Sequence, residues 1–243
     1  MGKDFKKLKK DLVNWIKAKV KSAKAQGVVV GLSGGLDSAV VASLSKEALG
    51  KKRVLSLLLP CESAPTDLVD ARNFAKKLGL KTELFDLTST YKQLIKKLPP
   101  AGLVVKANLK PRLRMMVLYY YANKLNYLVI GTGNKCELKV GYFTKYGDGG
   151  VDFLPLGNLY KSDVLSLAKL LGIPQRIIEK TPSAGLWKGQ TDEGEMGITY
   201  SELEKILADL EKGKRLRGDK ARKVKKMVEK GEHKLKMPEI FKR

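Results

Sequence analysis

The apolar positions change their spacing several times along the chain, and each change marks an element. From residue 3 to 25 they recur every three or four places, at Phe5, Leu8, Leu12, Trp15, Ile16 and Val20, with lysines between them. That spacing predicts an amphipathic helix. At 27–31 the pattern becomes continuous, with Val28, Val29 and Val30 in succession. A β-branched run of this kind suits a strand covered on both faces. A helix over 38–49 is expected next, closed by Gly50. The pattern then predicts a strand at 53–59, a helix at 67–78 closed by Gly79, a strand at 82–87 and a helix at 89–97. Pro99, Pro100 and Gly102 interrupt it. A long helix over 103–124 follows, with Pro111 as a kink or restart, and then a strand at 128–131. Further on come a short apolar segment at 151–156 and helices at 162–171, 199–212 and 217–230, before a basic tail. Residues 181–198 carry neither period, and a loop of that length in a compact domain reads as a functional lid or as a partly disordered segment.

Strands alternating with helices predict an α/β fold: a doubly wound parallel sheet flanked by helices, Rossmann-like in outline. No internal repeat or clear linker divides the chain, so 1–243 reads as a single domain. In such sheets ligands sit beyond the carboxyl ends of the strands. Two glycine-rich connections leave strands there. One is Gly31, Leu32, Ser33, Gly34, Gly35, Leu36, Asp37 and Ser38; the other is Gly131, Thr132, Gly133 and Asn134.

The first of these joins an apolar strand to a helix N-terminus, where unpaired N–H groups favour an anion. Ser33 and Ser38 add hydroxyls. Asp37 repels a phosphate unless Mg²⁺ lies between them. No Gly-Lys-Ser/Thr follows, so the loop is not a Walker A motif and has no lysine of its own. Glu137, just after the second connection, reads either as a second metal ligand beside Asp37 or as a surface acid in a first helical turn.

Charge changes the picture less than its size suggests. The net charge is +23, but residues 1–25 hold nine lysines against two acids, and residues 211–243 hold fourteen Lys/Arg against five acids. So 16 of the 23 units lie in the terminal segments, away from the loop. With few aromatics among them, these runs read as solvated helix faces rather than a nucleic-acid surface. The two cysteines, Cys61 and Cys136, form no disulfide framework or zinc spacing, which suits a reducing cytoplasm. No apolar run approaches transmembrane length.

Ser33-Gly34-Gly35-Leu36-Asp37-Ser38 is the SGGxDS signature of the ATP pyrophosphatases, and the chain resembles them there. Farther along it is similar to the ammonia-dependent NAD synthetase family. The segments that carry this are Arg112-Leu113-Arg114-Met115, Gly131–Lys135, 141–149, 182–187, Gln190-Thr191-Asp192-Glu193 and Glu232-His233-Lys234. The resemblance implies an adenine-nucleotide alpha-hydrolase-like fold. It also implies amidation of deamido-NAD to NAD through an acyl-adenylate, with ATP and ammonia consumed and AMP and pyrophosphate released. It implies ATP contacts at Gly31–Ser38, Thr132, Lys161 and Ser183, magnesium on Asp37 and Glu137, and deamido-NAD contacts at Arg112, Lys145, Asp152, His233 and Lys234. Asp37, Lys161 and Asp152 are the residues expected to carry the chemistry. Read without the resemblance, Lys161, Arg112 and His233 are ordinary surface residues, and Asp152, flanked by Val151 and Phe153, is either a satisfied buried carboxylate or a group that holds ribose hydroxyls or an ammonium. The resemblance further implies a homodimer, for which the apolar helix 113–125 is the expected contact, and free ammonia as donor, because no glutaminase domain is left over. Two other readings stay open: a pyrophosphatase that activates another carboxylate or a tRNA base, and a nucleotide- or RNA-binding module without turnover.

Overall fold

The computed structural model describes residues 3–241. Its centre is a four-stranded parallel sheet in the order β3-β2-β1-β4, where β1 is Gly27–Gly31, β2 Val54–Leu58, β3 Lys81–Leu84 and β4 Tyr127–Val129. A parallel bridge from Ile130 to Phe153 extends the edge beyond β4. Both faces of β1 are buried, which accounts for the unbroken valine run. Val28 and Val30 join one core, and Val29 joins the other. β2 divides in the same way, Val54 and Leu58 to the first side and Leu55 and Leu57 to the second. Burying each such side chain is worth about 1.5–3 kcal/mol.

The first core lies under α1 (Phe5–Ser22), α2 (Leu36–Leu49) and α3 (Pro65–Leu78). The second lies under α4 (Thr88–Lys97) and, after the five-residue α5 (Leu103–Ala107), under α6 (Leu109–Leu125). α7 (Lys135–Val140) follows β4, and α8 (Lys161–Leu170) and the short α9 (Gln175–Ile178) return to the first core. α10 (Asp192–Met196), α11 (Tyr200–Glu211) and α12 (Asp219–Gly231) gather with α7 around a third cluster of Cys136, Val140, Met196, Leu203 and Val224.

Strand order reverses its direction of growth between β1 and β4, so the crevice opens beyond their carboxyl ends. The expected elements are present with shifted limits. α2 begins at Leu36 because Gly35 already acts as its N-cap. β3 stops at Leu84, although the Phe85 amide still donates to the Leu58 carbonyl. The expected helix 103–124 is broken at Asn108, so of the kink or restart expected at Pro111 it is the restart that occurs, two residues earlier at Leu109. Pro111 falls in the first turn of α6, where a missing N–H leaves no hydrogen bond unmade. Asn108 is held at the break by the Thr144 hydroxyl, which donates to its Oδ1 at 2.7 Å. The stretch 181–198 is not structureless throughout, because α10 lies within it and Met196 and Ile198 are buried.

The two ends of the third cluster meet backbone to backbone. A Cβ added to Gly141 would stand 2.5 Å from the Gly231 Cα, and one added to Gly231 would stand 2.7 Å from the Gly141 Cα. This contact sets the end of α12, and the turn at Glu232–Lys234 that follows it, against α7.

Candidate active site

The loop after β1 is folded onto its own serines. The Ser33 amide donates to Ser38 Oγ at 3.3 Å, the Gly35 amide to Ser33 Oγ at 3.2 Å, and the Ser38 hydroxyl to the Gly35 carbonyl at 3.0 Å. Gly34 has φ +81°, and a Cβ there would lie 2.3 Å from the Asp67 carbonyl oxygen, so only glycine fits. Gly35 supplies no side-chain cap to α2. The first-turn amides of that helix are left without a side-chain cap, which is the feature that favours an anion, and Leu36, Asp37 and Ser38 line the crevice.

Asp37 sits in the first turn of α2, and its carboxylate gathers the rest of the site. Lys161, the first residue of α8, forms an ion pair with Asp37 Oδ2. The Asn134 amide nitrogen donates to Asp37 Oδ1 at 3.1 Å. Asn134 is also the N-cap of α7, accepting from the Glu137 amide at 3.2 Å while its own N–H donates to Glu137 Oε2 at 3.0 Å. Glu137 thus lies in the first turn of α7, as one reading expected, but buried rather than on the surface: one oxygen takes part in the capping box and the side chain faces the Asp37 group. The Tyr200 hydroxyl lies 3.4 Å from Glu137 Oε1 and donates to Asp192 Oδ2 at 3.0 Å. The Lys161 ammonium stands 5.2 Å from the centre of the Tyr200 ring.

The electrostatics follow from this crowding. Burial, and then the charge of Asp37, hold the Glu137 carboxyl far above the ordinary carboxylate range, to about 8. Burial also raises Asp192, whose Oδ1 is buried with no hydrogen-bond partner among the described residues. Burial works against the Lys161 cation, but Asp37 and Glu137 outweigh it and raise that group. Burial pushes the Tyr200 phenol up, reinforced by Glu137 and Asp192. Three acids thus face one lysine. Among the described residues no group of three or more His, Cys, Asp or Glu side chains is arranged as a closed metal cage. An open pair of carboxylates is the form that suits Mg²⁺, which completes its octahedron with phosphate oxygens and water.

Asp37, Glu137, Lys161, Asp192 and Tyr200 line a cavity of about 1250 Å³. Gly31, Leu32, Ser33, Gly35, Leu36, Asp37 and Ser38 line it with Thr132, Glu137, Lys161 and Ser183. Ser183 lies on the loop before α10, where its hydroxyl donates to the Gln190 carbonyl at 2.8 Å. Buried Lys110 reaches the same loop from α6 and donates to the Leu186 carbonyl at 2.8 Å.

The residues expected at deamido-NAD divide. His233 and Lys234 line the cavity, and the Lys234 ammonium caps the Gly141 and Phe143 carbonyls at 2.7 and 2.8 Å. Arg112, Lys145 and Asp152 lie outside it. Arg112 donates to the Lys145 carbonyl at 3.4 Å, and Lys145 donates to the His233 carbonyl at 2.9 Å. Asp152 is exposed and accepts from the Val129 amide at 2.7 Å and the Tyr119 hydroxyl at 3.1 Å. Asn134, Asp192, Tyr200 and Arg114 join the site without having been singled out from the sequence. Arg114 lines the cavity while donating to the Leu59 carbonyl at 3.0 Å. Asn134, Asp192 and Arg114 stood within the family-like segments, but nothing around Tyr200 marked it.

A parallel sheet with an anion loop at its switch point, and acids and a lysine converging on the loop, defines a nucleotide-using α/β enzyme. Comparison with known proteins narrows the class. The NAD synthase profile matches residues 8–238. The chain is 51% identical to an NH(3)-dependent NAD(+) synthetase of Archaeoglobus fulgidus over 240 residues, which is 98% of this chain and 97% of the relative. Among solved structures, the NMN synthetase of Francisella tularensis has a TM-score of 0.90 at 40% identity, covering 98% of this chain and 99% of that one. The NH3-dependent NAD synthetase of Campylobacter jejuni has a TM-score of 0.86 at 36% identity, covering 99% and 100%. The chain belongs to the NAD synthase family. Its reaction is the ATP-dependent amidation of deamido-NAD to NAD with ammonia, a ligase chemistry that forms a C–N bond.

Proposed function

We propose that the cavity holds ATP with its phosphates along Gly31–Ser38 and with contacts at Thr132, Lys161 and Ser183. The nicotinate carboxylate of deamido-NAD then faces the α-phosphorus. Attack gives an acyl-adenylate and pyrophosphate, and ammonia displaces AMP from the activated carbonyl. Two anions must meet in this reaction, so the chain's task is to place positive charge between them. Lys161 does so as a point charge, held in place by Asp37. The first-turn amides of α2 and the Ser33 and Ser38 hydroxyls receive the departing pyrophosphate. Asp37 and Glu137 are the proposed magnesium ligands. The raised Glu137 carboxyl and the unpartnered Asp192 Oδ1 are what a missing cation would leave behind. Magnesium, when bound, supplies neutralisation of the triphosphate. The observation that carries this reading is the Asp37–Lys161 pair, brought together at the head of α2 from positions 124 residues apart.

His233 and Lys234 are proposed to hold deamido-NAD at the rim of the cavity. Arg112, Lys145 and Asp152 are proposed to meet the part of it that extends beyond. That division supports a homodimer in which the substrate lies near the subunit boundary. Met116 and Tyr120 are exposed on α6, within the segment 113–125 that is the proposed contact, and Leu103, Val104 and Val105 of α5 are exposed as well. The chain is read as one synthetase domain that uses free ammonia. Its two free, buried cysteines suit the reducing cytoplasm. No described helix is long and apolar enough to cross a membrane.

The test is incubation with ATP, Mg²⁺, deamido-NAD and ammonium, with chromatography of NAD, AMP and pyrophosphate. NAD with equimolar AMP is expected, and none from Asp37→Ala. A parallel tube with nicotinate mononucleotide in place of deamido-NAD examines a second acceptor, favoured by the likeness to the Francisella NMN synthetase. NMN formed there at the higher kcat/KM would move the physiological acceptor to the mononucleotide.

A further inference from the structure

The phosphate loop lacks a lysine of its own, yet a lysine reaches it from far along the chain. Lys180 follows α9 at the base of the loop that carries Ser183. Its ammonium donates to the Gly34 carbonyl at 3.3 Å, across 146 positions of sequence. The same ammonium is anchored on α3, by Asp67 Oδ1 at 2.6 Å and Asp70 Oδ2 at 3.1 Å. Asp70 is itself buried and held on its other oxygen by Arg176 at 2.8 Å. Lys180 also lines the cavity.

The peptide bond gives this contact a consequence. In a trans peptide the carbonyl and the following N–H point in opposite directions within one plane. Fixing the Gly34 carbonyl on Lys180 therefore turns the Gly35 N–H the other way, toward Ser33 Oγ and the head of α2. The Gly34–Gly35 peptide is thus held from both sides, its carbonyl by Lys180 and its N–H by Ser33 Oγ, at a glycine whose φ of +81° lets the backbone turn freely. A peptide flip there would present an oxygen to the phosphates instead of an N–H.

We propose that Lys180 is a positioning residue for ATP. It pins the Gly34–Gly35 peptide in the orientation that receives phosphate, and it does so from the base of the Ser183 loop, so the two loops are set together. This inference rests on the reading of Gly31–Ser38 as the ATP phosphate site.

The test is steady-state kinetics on the full chain, with KM determined separately for ATP and deamido-NAD. Lys180→Met is expected to raise KM for ATP about tenfold or more and to leave KM for deamido-NAD within about twofold. Lys180→Arg, which keeps the charged donor, is expected to recover most of the loss. Asp67→Asn keeps both the Gly34 contact and the Asp70 anchor, so its KM for ATP is expected within about threefold of the parent. Competitive inhibition by adenosine, which has no phosphate, is expected to be unchanged in Lys180→Met. An unchanged KM for ATP in Lys180→Met overturns the proposal. So does equal impairment by Asp67→Asn and Lys180→Met, which would make the lysine an ordinary ion-pair partner. Should Lys180→Met fail to fold, Lys180→Arg and Asp67→Asn decide: a tenfold loss in the second with none in the first points to the ion pair alone. Ser38→Ala separates the two levels of inference. If it too leaves KM for ATP unchanged, the phosphate-site reading falls and the role of Lys180 falls with it.

Discussion

At the scale of single residues, the site is governed by carboxylates short of positive charge. Glu137 shows how this is tested. The folded protein keeps its proton up to about 8, whereas an unfolded glutamate releases it near 4.5. The native state therefore binds the extra proton between those values, and stability from this group is lost as pH rises through that window. Thermal unfolding followed in EDTA is expected to show Tm falling from pH 5 to pH 8, with a shallower fall in Glu137→Gln. Added Mg²⁺ is expected to restore more Tm at pH 8 than at pH 5, and equal recovery at both would refute a metal role for this carboxylate. Cys136 is likewise kept protonated by burial. Burial pushes its thiol up to about 12, so little thiolate exists at pH 8. Iodoacetamide at that pH is expected to modify the native protein at Cys136 far more slowly than the unfolded chain, read by peptide mass. Asp37, Ser33 and Ser38 were legible because they share one short motif, and the motif explains its own chemistry. Tyr200 was not legible, because its role exists only where α11 meets Glu137 across 63 positions. Lys161 was reached only through family resemblance. From its neighbours alone it is a solvated lysine at a helix start.

At the scale of elements, the long apolar runs were decisive and the short helices were not. The valines of β1 and the period of α1 each leave one physical solution, and both elements appear where the pattern puts them. α9 and α10 have four and five residues, too few for any period to register. Their stability comes from contacts, as the buried Met196 and Ile177 indicate. Of the two readings of Pro111, the restart is the one met, two residues early: α6 begins at Leu109, and in that first turn the proline is harmless. The β1–α2 connection carries the sharpest element-scale prediction. Gly34→Ala places a Cβ against the Asp67 carbonyl at a positive φ. It is expected to cost more than about 1 kcal/mol in urea unfolding and to reduce ATP turnover by orders of magnitude. A fully active, equally stable variant would mean that the loop does not need this conformation.

At the scale of the molecule, the parallel sheet and its switch-point crevice followed from the strand–helix alternation, and the second half of the site did not. It is assembled by the third cluster, whose members have no local signature. The proposed dimer is examined by Met116→Glu with Tyr120→Glu. Sedimentation is expected to move from a dimer toward a single chain of 26.9 kDa, and a parent that already sediments as one chain would remove that proposal. The excess of positive charge has a kinetic side as well. Substrates here are polyanions, so kcat/KM for ATP is expected to fall as NaCl is raised from 50 to about 300 mM. The meeting of Gly141 with Gly231 has an effect of a different kind. Two backbones in direct touch tolerate no side chain between them, so the contact acts as a gauge of alignment. If α12 docked one residue out of step, Lys230 or Glu232 would arrive where only a hydrogen atom fits. The last segment of the chain can therefore seat itself in one frame only, and His233 and Lys234 reach the rim of the cavity as a by-product of that mechanical proofreading.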